Sequence, residues 1–202
     1  MSRKTEAAEE LLKVKRFRIT FNSPVVLGFI LICFIVTLAG VLTGGLTTQV
    51  LFMTYRSSLT NPLTYLRLVT HVFGHSGWSH FLSNASYILI LGPMLEEKYG
   101  SKRLVLVMLV TALATGLINF IFFPNIALCG ASGIVFAMIM LASFTGFRDR
   151  EIPLTAVLVA VIYIGQQVYE GITVDDNISN MAHIVGGIVG AVVGYVLNRN
   201  RD

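Results

Sequence analysis

The sequence predicts an all-α membrane protein of six crossing helices with both termini in the cytoplasm. Three observations lead there. The 202 residues are 54% hydrophobic and only 13% charged, with a mean hydropathy of +0.74, whereas soluble domains carry about a quarter charged residues. Asp, Glu, Lys and Arg are absent from five long stretches, 19–55, 68–95, 104–147, 152–169 and 177–198. Threading those stretches through a bilayer also collects nearly every basic residue on one side. Gly 18, Pro 5 and Cys 2 exclude a collagen-like chain, a disordered one and a disulfide scaffold.

A crossing helix needs roughly 20 mostly apolar residues. That divides the chain into a basic arm at 1–23, a membrane domain at 24–198 and a short tail at 199–202. The arm also carries Glu6, Glu9 and Glu10, which suits a solvated surface helix. The first span, 24–43, is too long for a signal-peptide core and has no small-residue cleavage site after it, so it is expected to stay in place. The outer loop 44–79 is rich in aromatics (Phe52, Tyr55, Tyr65, Phe73, Trp78), which favour the headgroup level, so short interfacial helices are expected there. The second span is 80–98. The 44-residue stretch 104–147 is too long for one helix, and Pro124-Asn125 and Gly130 divide it into spans at 102–122 and 132–147. Spans at 152–169 and 179–198 complete the set, joined by an outer loop at 170–178.

Six spans place both ends on one side, and basic residues stay cytoplasmic. The arm holds Arg3, Lys4, Lys13, Lys15, Arg16 and Arg18, and the next same-side turn holds Lys98, Lys102 and Arg103. Arg148 and Arg150 follow, then Arg199 and Arg201, which leaves only Arg56 and Arg67 on the other face. The net charge of +4 is therefore a topology signal and points to no nucleic-acid partner. Cys33 mid-span and Cys129 near the outer surface are too far apart in depth to pair, and no metal-binding cysteine spacing occurs.

Polar residues inside a span are costly and so are functional candidates. Three sets share one depth, just below the outer surface. They are His80 with Asn84 at the start of the second span, Gly130-Ala-Ser132-Gly133 at the start of the fourth, and His183 one turn into the sixth. Ser132 is either a small packing residue or a nucleophile at a helix N-terminus, where free N–H groups favour negative charge. Gly186, Gly187, Gly190 and Gly194 share the face of His183. With Gly133 and Ala137 on the fourth span, they would let two helices approach until a serine could reach the histidine. His80 and Asn84, four apart on one face, read either as an interhelical hydrogen bond or as oxyanion donors. Phe136, one turn after Ser132, is either core or a ring stacked on the imidazole. A metal site among His71, His75, His80 and His183 lacks a convincing carboxylate or cysteine ligand.

At these residues the chain resembles the rhomboid intramembrane serine proteases, over about residues 50–196. His71–Asn84 (HVFGHSGWSHFLSN) is similar to the family's first loop and the start of its second helix. Gly130-Ala-Ser132-Gly133 matches its Gly-x-Ser-Gly motif, and Ala182-His183-Ile-Val-Gly186-Gly-Ile-Val-Gly190 matches its histidine helix. The resemblance implies a six-helix rhomboid-like bundle with Ser132 and His183 as a catalytic dyad and His80 and Asn84 as oxyanion donors. Gly130, Gly133, Phe136, Gly186 and Gly190 would support them. The family's Trp-Arg pair appears as Leu66-Arg67, and its stacking aromatic, commonly tyrosine, as Phe136.

The expected activity is a serine endopeptidase that cuts peptide bonds in or near the membrane spans of other proteins. Its partners are those substrates and the lipid bilayer, and it needs no cofactor because a Ser-His hydrolase uses only water. Gln166 and Gln167, at the outer end of the fifth span, read as substrate-access residues or as interface anchors. The expected location is a bacterial plasma membrane, with the site toward the outer side. One rival is a catalytically inactive rhomboid-like protein that binds or escorts membrane helices. Another is a small-solute channel, disfavoured because no span carries a buried mid-membrane carboxylate.

Overall fold

A computed structural model describes residues 20–144, 154–173 and 180–198. The basic arm up to residue 19, the turn with Arg148 and Arg150, residues 174–179 of the outer loop and the 199–202 tail lie outside the described residues. Among those described the chain is all-helical. The helices are α1 (Pro24–Leu42), α2 (Leu46–Leu51), α3 (Pro62–Thr70), α4 (Trp78–Tyr99), α5 (Ser101–Phe122), α6 (Ser132–Ser143), α7 (Leu154–Thr173) and α8 (Asn180–Asn198), with a 3₁₀ turn at His71–Phe73. By length and composition α1, α5 and α8 can cross a membrane, and α6 is a shorter apolar helix.

Breakers set the boundaries. Pro24 opens α1, where its fixed φ suits a first turn. The first-turn donors of α1 would be orphans, but the buried Glu96 carboxylate of α4 accepts from Val25 N and Val26 N, both at 3.1 Å. Ser101 Oγ donates to the same carboxylate at 2.7 Å. One acid thus ties the start of α1 to the α4–α5 junction. Gly100 makes that junction with a left-handed φ of +83°, a conformation glycine adopts without strain.

The 44–79 segment, expected to hold short helices, contains α2 and α3. Asn61 caps α3 by accepting from Leu63 N at 3.0 Å, and Leu59, Tyr65 and Leu66 stay exposed. The segment before α6 is fixed by an antiparallel bridge between Thr54 and Leu128, with both hydrogen bonds at 2.9 Å.

Helix α6 is the hub. Its Ile134, Ala137, Met138 and Leu141 are fully buried, and α8 lies against it along a seam of small residues. A methyl group at Gly186 would run into the Gly133 backbone, and one at Gly190 into the Ala137 backbone. The helices therefore pack main chain to main chain, as small residues permit in membranes. Large apolar residues such as Leu31, Ile35, Leu106, Leu109, Ile188 and Val192 face outward. That arrangement is unfavourable in water and natural in hydrocarbon.

Candidate active site

Ser132 is the first residue of α6. Its entry into the helix is shaped by Gly130, whose φ of +121° is strained for any residue with a side chain. Gly130 N donates to the His71 carbonyl at 2.9 Å, which fastens this turn to the His71–Phe73 segment. On the other side of the seam, His183 lies one turn into α8. Its Nε2 is 2.8 Å from Ser132 Oγ, within hydrogen-bond reach. The Phe136 ring stacks on the His183 ring at 4.6 Å between centroids and 7° between planes. The phenyl ring thus lies flat against one face of the imidazole.

His80 and Asn84 approach from α4. A methyl group at Gly130 would stand 2.7 Å from His80 Nε2 and 3.6 Å from Asn84 Nδ2. Both nitrogens therefore face the backbone that leads into Ser132. Asn84 Nδ2 is buried with no hydrogen-bond partner among the described residues, a costly state for an amide donor. All four side chains line one cavity of about 890 Å³ that also meets Ser76, Trp78 and Cys129. Burial pushes the Cys129 thiol up to about 11, so it stays protonated and a poor nucleophile at neutral pH.

The other histidines are structural. His71 Nδ1 lies 3.2 Å from the Arg67 carbonyl and its Nε2 lies 3.2 Å from Thr115 Oγ1, which pins the loop to α5. Burial pushes His71 down to about 4. Burial, with His80 close by, does the same to His75, so both rings are neutral at pH 7. Among the described residues no three His, Cys, Asp or Glu side chains gather as metal ligands.

A model of the Rhomboid domain matches residues 62–200, well over half of the chain. The chain belongs to the rhomboid family. It is 31% identical over 160 residues to mouse Rhomboid-related protein 2, covering 69% of this chain and 53% of that protein. It is 28% identical over 182 residues to Rhomboid protease GlpG of Yersinia pestis, covering 88% and 64%. With the chloroplastic Rhomboid-like protein 11 of Arabidopsis thaliana it shares 26% over 149 residues, covering 67% and 53%. The chain thus spans between about half and just under two thirds of the length of these curated relatives.

Within this rhomboid chain, Leu66 in place of the family tryptophan is half exposed and leaves the anchoring to Arg67. That guanidinium is buried, donates to Tyr55 Oη at 2.6 Å and Ser57 Oγ at 2.9 Å, and lies 4.3 Å over the Tyr55 ring. Gln166 and Gln167 fall on α7, but their side chains are outside the described part. Two residues with clear structural roles went unseen in the sequence. Glu96 entered only as the end of a charge-free stretch, and Ser76 only as part of the 44–79 loop. The signal that could have found Ser76 is its place four residues before His80, whose second ring nitrogen needs a partner.

Proposed function

We propose that this chain is an intramembrane serine endopeptidase that cleaves peptide bonds in or near the membrane spans of other proteins. Ser132 is the nucleophile and His183 the general base and acid. The 2.8 Å approach of His183 Nε2 to Ser132 Oγ, across two helices that touch through glycine, carries this reading. In the reaction Ser132 Oγ–H gives its proton to His183 Nε2 as Oγ attacks the carbonyl carbon. The carbonyl oxygen becomes negative and is met by His80 Nε2–H, Asn84 Nδ2–H and the Ser132 N–H, donors placed where charge develops. His183 then passes the proton to the leaving amine. A water molecule, deprotonated by His183, hydrolyses the acyl-serine and restores the enzyme.

Gly130, Gly133, Gly186 and Gly190 act by allowing the approach, and Phe136 by holding the ring. A substrate helix must unwind locally, because helical carbonyls are already hydrogen-bonded. We assign Gln166 and Gln167 to the access route. The proposed topology has six spans within 24–198 and both ends in the cytoplasm. It puts the site toward the outer side of a plasma membrane, bacterial by expectation, and rests on the Lys and Arg distribution.

The test is labelling with a fluorophosphonate probe, which needs no substrate. Membranes holding the wild type are treated beside Ser132→Ala and His183→Ala. Labelling of the wild type alone is expected. A folded, inserted wild type that fails to label would replace this reading with that of a non-catalytic helix binder.

A further inference from the structure

We propose that Ser76 is a positioning residue that holds His80 in the tautomer an oxyanion donor requires; this rests on the proteolytic reading above. A neutral imidazole carries one N–H, on either Nδ1 or Nε2, and the partner of one nitrogen decides the state of the other. His80 Nε2 faces Gly130, two residues before Ser132. To meet a developing oxyanion it must bear the hydrogen, and Nδ1 must then accept one.

Among the described residues the partner of Nδ1 is Ser76 Oγ, at 3.1 Å. A carbonyl or carboxylate there would draw the hydrogen to Nδ1 and turn a bare lone pair toward the negative oxygen. A hydroxyl is able to donate. His75, whose ring stands edge-on to His80 at 5.1 Å and 75°, does not supply this hydrogen. Its own Nδ1 lies 3.2 Å from the Phe73 carbonyl, which holds the hydrogen on that nitrogen, and its buried Nε2 then carries only a lone pair.

Placement of the serine comes from the backbone. Ser76 directly precedes Gly77, the N-cap of α4, so it stands one helical turn from His80. As charge builds on the bound oxygen, Nε2–H is drawn outward and Nδ1 becomes more basic. The Ser76 bond therefore strengthens in the transition state more than in the ground state, which is the condition for acting on rate rather than on binding.

The experiment uses the full chain in lipid nanodiscs, with ¹⁵N-labelled histidine and a fluorophosphonate probe whose phosphoryl oxygen occupies the same oxyanion site. His80 is assigned by difference from His80→Ala. We expect the wild-type His80 ring to be protonated on Nε2, and Ser76→Ala to mix the two tautomers. Ser76→Ala lowers the maximal labelling rate about fivefold, the size of one lost hydrogen bond, with the probe's half-saturation within twofold. Ser76→Thr restores the rate, and Ser76→Ala costs nothing further in a His80→Ala background. A wild-type His80 protonated on Nδ1 overturns the proposal. So does an unchanged labelling rate in Ser76→Ala when Ser132→Ala does not label. If the wild type itself fails to label, the proteolytic reading falls, and the ring's protonation site still decides the pairing with Ser76.

Discussion

Gly186→Ala adds a single methyl group where α8 crosses α6, and the structure gives the size of the disturbance. The new carbon would lie 2.8 Å from the Gly133 carbonyl carbon and 3.0 Å from its Cα, with the carbonyl oxygen nearer still, whereas ordinary contact begins at 3.4 Å. Backbone offers no rotamer to swing aside, so the helices must separate by roughly 1 Å. The bond between His183 Nε2 and Ser132 Oγ, now 2.8 Å, would stretch to nearly 4 Å, beyond hydrogen bonding. A displacement of that size costs about a hundredfold in rate. Gly187→Ala is the control, because its methyl group meets only Met140 Cγ at an ordinary 3.7 Å. The assay is the fluorophosphonate labelling rate of both variants in the same nanodiscs, with thermal midpoints to certify folding. A folded Gly186→Ala that labels as fast as the wild type would refute the dependence of the dyad on helix contact.

Three further outcomes are expected. Phe136→Leu removes a stack worth about 1 kcal/mol and slows labelling roughly three- to tenfold, while Phe136→Tyr keeps the wild-type rate; equal rates for all three would remove the ring from its supporting role. Glu96→Gln turns an amide N–H₂ toward one of the first-turn donors of α1 and costs about 1–3 kcal/mol of stability, read as a lower thermal midpoint with the labelling rate per folded molecule unchanged. Stability also falls with acidity. His71 binds its proton near pH 4 when folded against 6.5 when unfolded, so its contribution is whole above pH 6.5 and drains away as the pH drops toward 4. That loss is about 2 kcal/mol by pH 5, and a shallower decline in His71→Gln would identify its source.

Helix positions were legible where chemistry punctuates the chain. The expected 24–43, 102–122 and 179–198 compare with Pro24–Leu42, Ser101–Phe122 and Asn180–Asn198. Pro24 and Gly100 set the first two starts. The fourth span was drawn to 147, whereas α6 ends at Ser143; the charge-free stretch that set the bound runs on to Arg148, past the last helical turn. Ser132, His80, Asn84 and His183, grouped in the sequence as polar residues expected at one depth, line one cavity in the structure, and the glycine period on the His183 face named the partner helix. Contacts between distant segments left no such trace. Glu96 acts on donors 70 and 71 residues earlier, and Arg67 finds Tyr55 and Ser57 through a fold of the loop. Such pairings depend on tertiary placement that no local period encodes.

The brevity of α6 sets a depth gauge. Twelve residues make a rod roughly 18 Å long, set against roughly 30 Å of hydrocarbon. Seated with its lower end at the inner boundary, α6 would put Ser132, the proposed nucleophile, about 12 Å beneath the outer one, deeper than the sequence reading placed it. The location of the cut along a substrate then follows from lipid thickness as much as from residue preference. Each added 5 Å of bilayer would bury the site by about one helical turn, and the proposed protease would meet a different bond of the same substrate in a thicker membrane.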